Sequence, residues 1–199
     1  QQIEQTLVTQ EAGLAKMYEP EISRTGKHVI AAAFNASVHT LGAYFEQAAK
    51  RGVWLEGVIL KTSFVAPGDK SDEQPVNSDT VGHQSLKALL MTVPAQVPGV
   101  VFLSGGIPSK DAIDYLDAVE RASQTSFAQI RNEAVKQLEQ EGETDRAKEV
   151  RSWTKTPWQI SSSFGRGLQG PALEVWRGQA SNVIAAQAPL VEKSEENQA

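Results

Sequence analysis

Lys61 closes the apolar run from Trp54 to Leu60, and its amine is the group in this sequence best suited to covalent chemistry. Lysine is seldom fully buried unless it is paired, so a solvated position at the end of a strand is its ordinary interpretation. Burial would instead favour the neutral amine, which can attack a ketone and form a Schiff base. Polar residues that recur at similar intervals on either side of Lys61 favour the reactive amine.

Two carboxylates, Glu19 and Glu21, lie at the end of an earlier apolar run, 13–19. Alternate residues of a strand point to the same side, so we expect both carboxylates on one face. Two glutamates around Pro20 can also be a plain solvated strand exit. A functional role is favoured because α/β sheets bind ligands at the carboxyl ends of their strands, where Lys61 also lies.

Two further strand ends have residues suited to a phosphate. Ser104 and Gly105 end the third apolar run, and Gly165 and Arg166 follow the fourth. Glycines let backbone N–H groups approach an anion, the start of a following helix favours negative charge, and a guanidinium adds a fork of donors. Glycines before a helix can also form a simple turn, and an arginine after a strand can lie at the surface.

The elements that must position these residues are four strand-helix units, which predict an α/β fold with a parallel sheet and right-handed crossovers. The predicted strands are 13–19, 54–61, 99–104 and 158–164. The predicted helices are 28–51, 80–92, one that opens at Ser109, and one that runs through Trp176.

The segment 123–155, rich in Gln, Glu, Lys, Arg and Ala, predicts one or two exposed helices. We interpret it as a solvated insertion, with a partner surface as the alternative. The domain is expected to span 1–190, and the polar tail, 191–199, is expected to be disordered.

Composition limits the class of protein. With 199 residues, 40% hydrophobic and 22% charged, the chain can bury one core and predicts one domain. Its net charge of −5 argues against nucleic acid or an anionic membrane as partner. It has no cysteine, and its three scattered histidines give no metal signature. No apolar stretch reaches membrane-spanning length and the start is no signal peptide, so a cytoplasmic location is expected by default.

The motifs around these residues resemble those of class I (Schiff-base) fructose-1,6-bisphosphate aldolase. Nearly the whole chain takes part, except 123–155 and the extreme tail. The matching motifs are Glu19-Pro20-Glu21, 55–61, 65–68, 92–94, 97–100, 102–106, Pro157-Trp158, 163–169, Ala172-Leu173, Trp176 and Gly178.

The resemblance implies roles for the candidate residues. Lys61 would be the Schiff-base lysine, Glu19 the general acid/base, and Glu21 the residue that holds the lysine's charge and orientation. The three-carbon ketone end would have its phosphate bound by four residues, and Ser163 would support them. No cofactor or metal is implied, because the iminium itself takes up electrons. The four implied phosphate ligands are Ser104, Gly105, Gly165 and Arg166.

The resemblance also implies a fold and partners. A (β/α)8 TIM barrel is expected, with this chain supplying strands five to eight as a half-barrel, because barrels commonly bind phosphate after strands seven and eight. The N-terminal half of the barrel, a sugar phosphate and further copies in a homotetramer are the expected partners. Since a half-barrel leaves two open sheet edges, we expect the 199-residue chain alone to have little or no aldolase activity.

Four departures from the family pattern qualify these expectations. Residues 62–64 read Thr-Ser-Phe where Pro-Asn-Met is usual, and Leu90-Met91 replaces a common arginine pair, which puts the usual subunit contacts in doubt. The insertion at 123–155 is not typical. The family's C-terminal tyrosine has no counterpart, since Tyr115 is the last tyrosine.

Three functions therefore stay open. The first is a lyase of glycolysis and gluconeogenesis that reversibly cleaves fructose 1,6-bisphosphate into dihydroxyacetone phosphate and glyceraldehyde 3-phosphate. The second is another Schiff-base sugar-phosphate aldolase, expected to lack the combined 103–106 and 164–166 motifs. The third is a non-catalytic phosphate-binding or scaffolding half-barrel, which the changed residues 62–64 favour and an intact Glu19–Lys61 pair opposes.

Overall fold

The computed structural model describes residues 2–196, without the side chains of Arg166 and Glu196. A four-stranded parallel sheet forms its centre, and the strands lie side by side in sequence order. The α/β class and the parallel sheet are confirmed, whereas the barrel stays a prediction. The strands are β1 (Lys16–Tyr18), β2 (Val58–Ser63), β3 (Gly99–Leu103) and β4 (Gln159–Ser162).

The ends of the strands differ from the sequence predictions. β2 continues two residues past Lys61, because Thr62 and Ser63 pair with β3 and a β-branched threonine suits a strand. β1 begins only at Lys16 and β4 ends at Ser162, so both outer strands are shorter than predicted. Lys61 therefore lies inside a paired strand, where the ladder to β3 fixes its backbone.

Eight α-helices surround the sheet in the described part of the chain, and the predicted helices 28–51 and 80–92 are confirmed within two residues. The first helix was not predicted. The helices are α1 (Gln2–Glu11), α2 (Ile30–Lys50), α3 (Ser78–Thr92), α4 (Ser109–Thr125), α5 (Phe127–Gln140), α6 (Thr144–Ser152), α7 (Gly165–Trp176) and α8 (Val183–Glu196).

The two faces of the sheet differ in burial. Residues that point toward the helices are buried, and they form one core with side chains from α2, α3, α4 and α5. On the opposite face Met17 is 45% exposed, and Lys61 and Val101 are only half-buried. One face is thus packed and the other is accessible. The buried residues of the packed face are Tyr18, Val58, Leu60, Thr62, Val100 and Phe102. At the carboxyl ends of β2 and β3, Ser63 and Leu103 on the other face are buried as well.

The expected solvated insertion is corrected by the structure. Its two helices, α5 and α6, bury an apolar stripe in the main core instead of standing free in solvent. Phe127, Ile130, Ala134 and Leu138 recur at helical spacing and are 6% exposed or less. The abundance of charged residues in 123–155 hid this stripe, because the charges occupy the outer face of the same helices.

Arg146 ties the insertion to the end of α3. Its Nη2 donates to the carbonyls of Leu90 (2.8 Å) and Val93 (2.7 Å), and its Nε donates to Met91 at 3.3 Å. The last carbonyls of a helix lack partners inside the helix, so this guanidinium caps the C-terminus of α3. Burial lowers the pKa of Arg146, although its ion pair with Glu149 opposes that effect.

The expected disordered tail is also wrong as far as the structure describes it. Residues 192–196 continue α8, since four of these five residues are Glu or Lys, which are good helix formers. Residues 197–199 lie outside the described residues. α8 packs against α7, yet Leu173 and Ile184 remain 54% and 83% exposed. Across residues 2–196, none of the helices combines the length and the apolar character needed to span a bilayer.

Candidate functional site

Glu19 and Lys61 come together because β1 and β2 are parallel neighbours. Tyr18 pairs with Leu60, so the next residue of each segment lies at the same level of the sheet. The Lys61 Nζ is 2.8 Å from Oε1 of Glu19, and the two side chains are 19% and 44% exposed. Lys61 is therefore neither fully solvated nor isolated: its side chain is partly buried and paired with a carboxylate.

A cleft of about 190 Å³ lies around this pair at the carboxyl ends of the strands. Seven of the eight residues predicted from the sequence line it, and among the described residues Leu103 completes the lining. The eighth, Arg166, lies in the first turn of α7, but its side chain is outside the described part of the chain. The seven are Glu19, Glu21, Lys61, Ser104, Gly105, Ser163 and Gly165.

The turn after β3 brings backbone donors to the cleft. Gly105 and Gly106 have φ of +53° and +82°, a region that favours glycine, and the Ile107 N–H closes the turn on the Ser104 carbonyl at 2.8 Å. A Cβ on Gly105 would lie 3.5 Å from Oε1 of Glu21, so the turn packs closely against that carboxylate. α4 starts soon after, at Ser109, and favours negative charge near its first turn.

Ser63, one of the residues that depart from the family pattern, fixes the segment after β1. Its hydroxyl accepts a 3.0 Å hydrogen bond from the Ile22 N–H, next to Glu21. Ser163, at the far side of the cleft, donates its N–H to the Phe102 carbonyl at 2.8 Å. Both serines thus hold neighbouring strand ends at a fixed separation, which sequence spacing alone did not indicate.

A second cavity, of about 520 Å³, adjoins the cleft and was not predicted. It shares Glu21 and Gly105 with the cleft, and its other walls come from the segments that follow β1 and β2 and from Gly106 after β3. No periodicity or motif marks Ser23, Arg24, Thr25 or Asp69, because only the packing of loops brings them to this cavity. Its lining is Glu21, Ser23, Arg24, Thr25, Asp69, Gly105 and Gly106.

The arrangement of the cleft is suited to amine and proton-transfer chemistry beside an anion. An amine and a carboxylate lie within hydrogen-bond reach, and they are flanked by the glycine turn before α4 and by Gly165 at the start of α7. Within residues 2–196, no three His, Asp or Glu side chains are grouped closely enough to hold a metal ion.

Comparison with known proteins points to one family. A family model described as fructose-bisphosphate aldolase class I matches residues 5–199. A probable fructose-bisphosphate aldolase class 1 of Xylella fastidiosa is 33% identical over 189 residues, covering 94% of this chain and 47% of that protein. The cytoplasmic isozyme 2 of Pisum sativum fructose-bisphosphate aldolase is 34% identical over 191 residues, covering 96% and 44%.

A solved structure agrees with these relatives. Fructose-bisphosphate aldolase from Plasmodium falciparum, in a ternary complex with TRAP and a small-molecule inhibitor, matches with a TM-score of 0.77 and 27% identity. The match covers 98% of this chain and 47% of that one. The chain therefore spans less than half of the length of the proteins to which it is similar.

Proposed function

The chain belongs to the class I fructose-bisphosphate aldolase family, and we propose that it supplies the Schiff-base half of the active site of such a lyase. The proposed reaction is the reversible cleavage of fructose 1,6-bisphosphate into dihydroxyacetone phosphate and glyceraldehyde 3-phosphate. The observation that carries the proposal is the 2.8 Å contact between the Lys61 amine and Glu19, inside a cleft flanked by glycine turns.

In the first stage of the proposed reaction, Lys61 is the nucleophile and Glu19 is the proton donor. The Nζ lone pair adds to the C2 ketone carbon, and the carbinolamine loses water when Glu19 donates a proton to the departing hydroxyl. The product is an iminium that joins Nζ to C2. A carboxylate that is more exposed than the amine can exchange protons with solvent between these steps.

In the second stage the C3–C4 bond breaks and its electron pair moves to the iminium, forming an enamine. Glu19 takes the proton of the C4 hydroxyl, so that glyceraldehyde 3-phosphate leaves as an aldehyde. Protonation at C3 and addition of water release dihydroxyacetone phosphate and restore Lys61. The iminium accepts the electrons, so this sequence contains no step for a metal or cofactor.

The glycine turns would hold the phosphate of the ketone end. The N–H of Gly105 lies in the turn before α4 and that of Gly165 begins α7, so a phosphate there gains from both helix N-termini. Ser104, with its buried side chain, and Ser163 line the same cleft. Arg166 is proposed as a further phosphate ligand on the strength of the sequence alone.

We further propose that the accessible face of the sheet turns toward four more strands, which complete a (β/α)8 barrel. The half-buried Lys61 and Val101 and the exposed Met17 on that face support this, as does the 44–47% coverage of the relatives. The cytoplasmic isozymes among the relatives favour a cytoplasmic location. A homotetramer stays a prediction from the family.

Trapping tests the proposed function. The chain is incubated with dihydroxyacetone phosphate, reduced with borohydride and digested, and the adduct is located by mass spectrometry. We expect one adduct, on Lys61, that disappears in Lys61→Met and persists in Lys110→Met, which removes an exposed lysine. If no adduct forms while phosphate still binds at Gly165, the proposed lyase function is wrong and a non-catalytic phosphate-binding function replaces it. A steady-state assay of the 199-residue chain is expected to show little turnover.

A further inference from the structure

The second cavity, next to the cleft, contains an arginine that the proposed lyase chemistry does not use. Arg24 lines this cavity of about 520 Å³ together with hydroxyl groups of Ser23 and Thr25. The cavity meets the cleft at Glu21 and Gly105. It therefore lies at the carboxyl ends of the strands, where α/β proteins bind ligands.

The Arg24 guanidinium has unused hydrogen-bonding capacity. Within residues 2–196 it makes no ion pair with a carboxylate, and its Nε is buried without a hydrogen-bond partner in the protein. Buried polar atoms are nearly always hydrogen-bonded, so an exception in an arginine that lines a cavity calls for an explanation. An arginine held in this way is suited to a planar or tetrahedral anion, which can accept from its fork of donors.

The segment that carries Arg24 is held rigidly before any ligand binds. The Asp69 N–H donates to the Arg24 carbonyl at 2.8 Å, and Asp69 Oδ1 accepts from the Gly26 N–H at 2.7 Å. The Lys70 N–H donates to the Gly26 carbonyl at 2.9 Å. Gly68 lies so close that a Cβ there would be 2.2 Å from the same carbonyl oxygen. Binding therefore requires little ordering of the backbone.

Further donors face the same cavity. The N–H groups of Gly105 and Gly106 make no hydrogen bond within the described chain, and both glycines line the cavity. Successive N–H groups in a turn with positive φ form a concave site for anions. With the guanidinium and the two hydroxyls, they provide donors from two neighbouring loops.

Two carboxylates in the cavity lining, those of Glu21 and Asp69, weaken the binding of an anion but do not prevent it. Asp69 uses one oxygen to hold the loop, whereas Glu21 adds negative charge at the border with the cleft. Because opposite charges lie in one lining, a free anion gains less than it would from arginine alone. We therefore expect a dissociation constant of about 1 mM for a phosphate group.

We propose that Arg24, Ser23, Thr25 and the N–H group of Gly106 form a second oxyanion pocket, which binds the phosphate group of a small metabolite or free phosphate. This pocket is separate from the phosphate position between Gly105 and Gly165 in the cleft. Binding in this pocket requires no Schiff base, so it can be tested independently of the chemistry proposed for Lys61.

NMR titration of the 199-residue chain tests the pocket. Inorganic phosphate and glycerol phosphate, neither of which has a ketone, are titrated while the Arg24 Nε–Hε signal and the Gly106 and Gly165 amides are followed. We expect saturable shifts at Arg24 and Gly106 with both probes. Tighter binding of glycerol phosphate assigns the pocket to phosphate esters, and equal binding assigns it to free phosphate.

Variants separate the pocket from the cleft. Arg24→Gln is expected to weaken the response of Gly106 at least about tenfold, and Arg24→Lys, which keeps the charge but loses the fork, about threefold. The Gly165 response should not change in either variant. Arg177→Gln, at an exposed arginine that only donates to the Glu174 carbonyl, is the matched control. An unmoved Arg24 signal, or a Gly106 response unaffected by Arg24→Gln, would overturn the proposal.

Discussion

The Nζ of Lys61 lies 2.8 Å from Oε1 of Glu19, and the Lys61 side chain is the more buried of the two, at 19% exposure against 44% for Glu19. Solvent therefore reaches the glutamate side chain more easily than the lysine side chain. Such a pair can exchange protons with solvent through its acidic member while the amine stays in the cleft. This geometry comes from two adjacent parallel strands, and a one-residue change of register would separate the two groups.

Replacing Glu19 should slow covalent chemistry at Lys61. In Glu19→Gln the amide keeps its size but cannot supply a proton, and we expect the rate of borohydride-trappable adduct formation to fall about a hundredfold. Glu19→Asp keeps the acid but shortens its reach, and its rate of adduct formation should lie between those of Glu19→Gln and the unmodified chain. Quenched time courses with dihydroxyacetone phosphate measure both rates. A Glu19→Gln rate equal to that of the unmodified chain would remove Glu19 from the proposed mechanism.

The buried Arg146 should contribute much more to stability than an exposed arginine. Arg146→Met leaves three carbonyls at the end of α3 without their donor, and we expect a loss of about 3 kcal/mol in the free energy of unfolding. Arg151→Gln breaks an exposed pair with Glu139 and should cost about 0.5 kcal/mol or less. Urea unfolding of the two variants gives the comparison. Equal losses would show that Arg146 is not a cap.

Alkaline pH should destabilise the fold through Tyr18. Burial, and secondarily the nearby Tyr44, raise its pKa from 10.0 to about 12. The folded protein keeps this proton at a pH where the unfolded chain loses it. The contribution of the Tyr18 hydroxyl to the free energy of unfolding is thus fully present below pH 10 and is lost as the pH rises toward 12. The loss is roughly 2 kcal/mol at pH 12 and approaches about 3 kcal/mol only at higher pH.

Tyr18→Phe provides the control for this pH dependence. The Tyr18 hydroxyl makes no hydrogen bond within residues 2–196, so phenylalanine can keep the stacking with Tyr44, whose ring centroid is 3.4 Å away. Urea unfolding between pH 8 and pH 12 should show a shallower decline in the variant than in the unmodified chain. Parallel declines would mean that other groups, such as lysines, account for the alkaline loss.

Two glycine-to-alanine substitutions, at Gly68 and at Gly42, are expected to change the stability of the fold in opposite directions, because two loops approach closely at Gly68. Gly68→Ala would place a Cβ 2.2 Å from the Gly26 carbonyl oxygen and should destabilise the fold by about 2 kcal/mol. Gly42→Ala, in the middle of α2 with open space around it, should stabilise it by about 1 kcal/mol. Thermal unfolding measures both. Two changes of the same sign would contradict the described loop contact.

Much of the sheet and the cleft could be predicted because parallel strands bring their carboxyl ends to one edge. Lys61, Glu19 and Ser104 each end or closely follow an apolar run, so their convergence needed only the strand order. The burial of Ile130 and Leu138 could have been predicted from their helical spacing, but the charged outer face of 123–155 was given more weight.

The rest depends on contacts that leave no pattern in the sequence. Arg24 belongs to a loop that is shaped by hydrogen bonds to a second loop more than forty residues later. Ser63 is held by pairing to β3 and by the Ile22 N–H, neither of which residue type alone predicts. Such contacts arise from tertiary packing, and packing is specified by the whole chain.

The cap that Arg146 places on α3 links the end of this helix to a segment made much later in synthesis. The guanidinium follows the Leu90 carbonyl by 56 residues, so on the ribosome the last turn of α3 can bond only to water until α6 has emerged. In the finished protein, opening of α5 and α6 also uncaps α3. We therefore expect the last turn of α3, whose carbonyls this guanidinium holds, to fray more readily whenever the 123–155 segment opens.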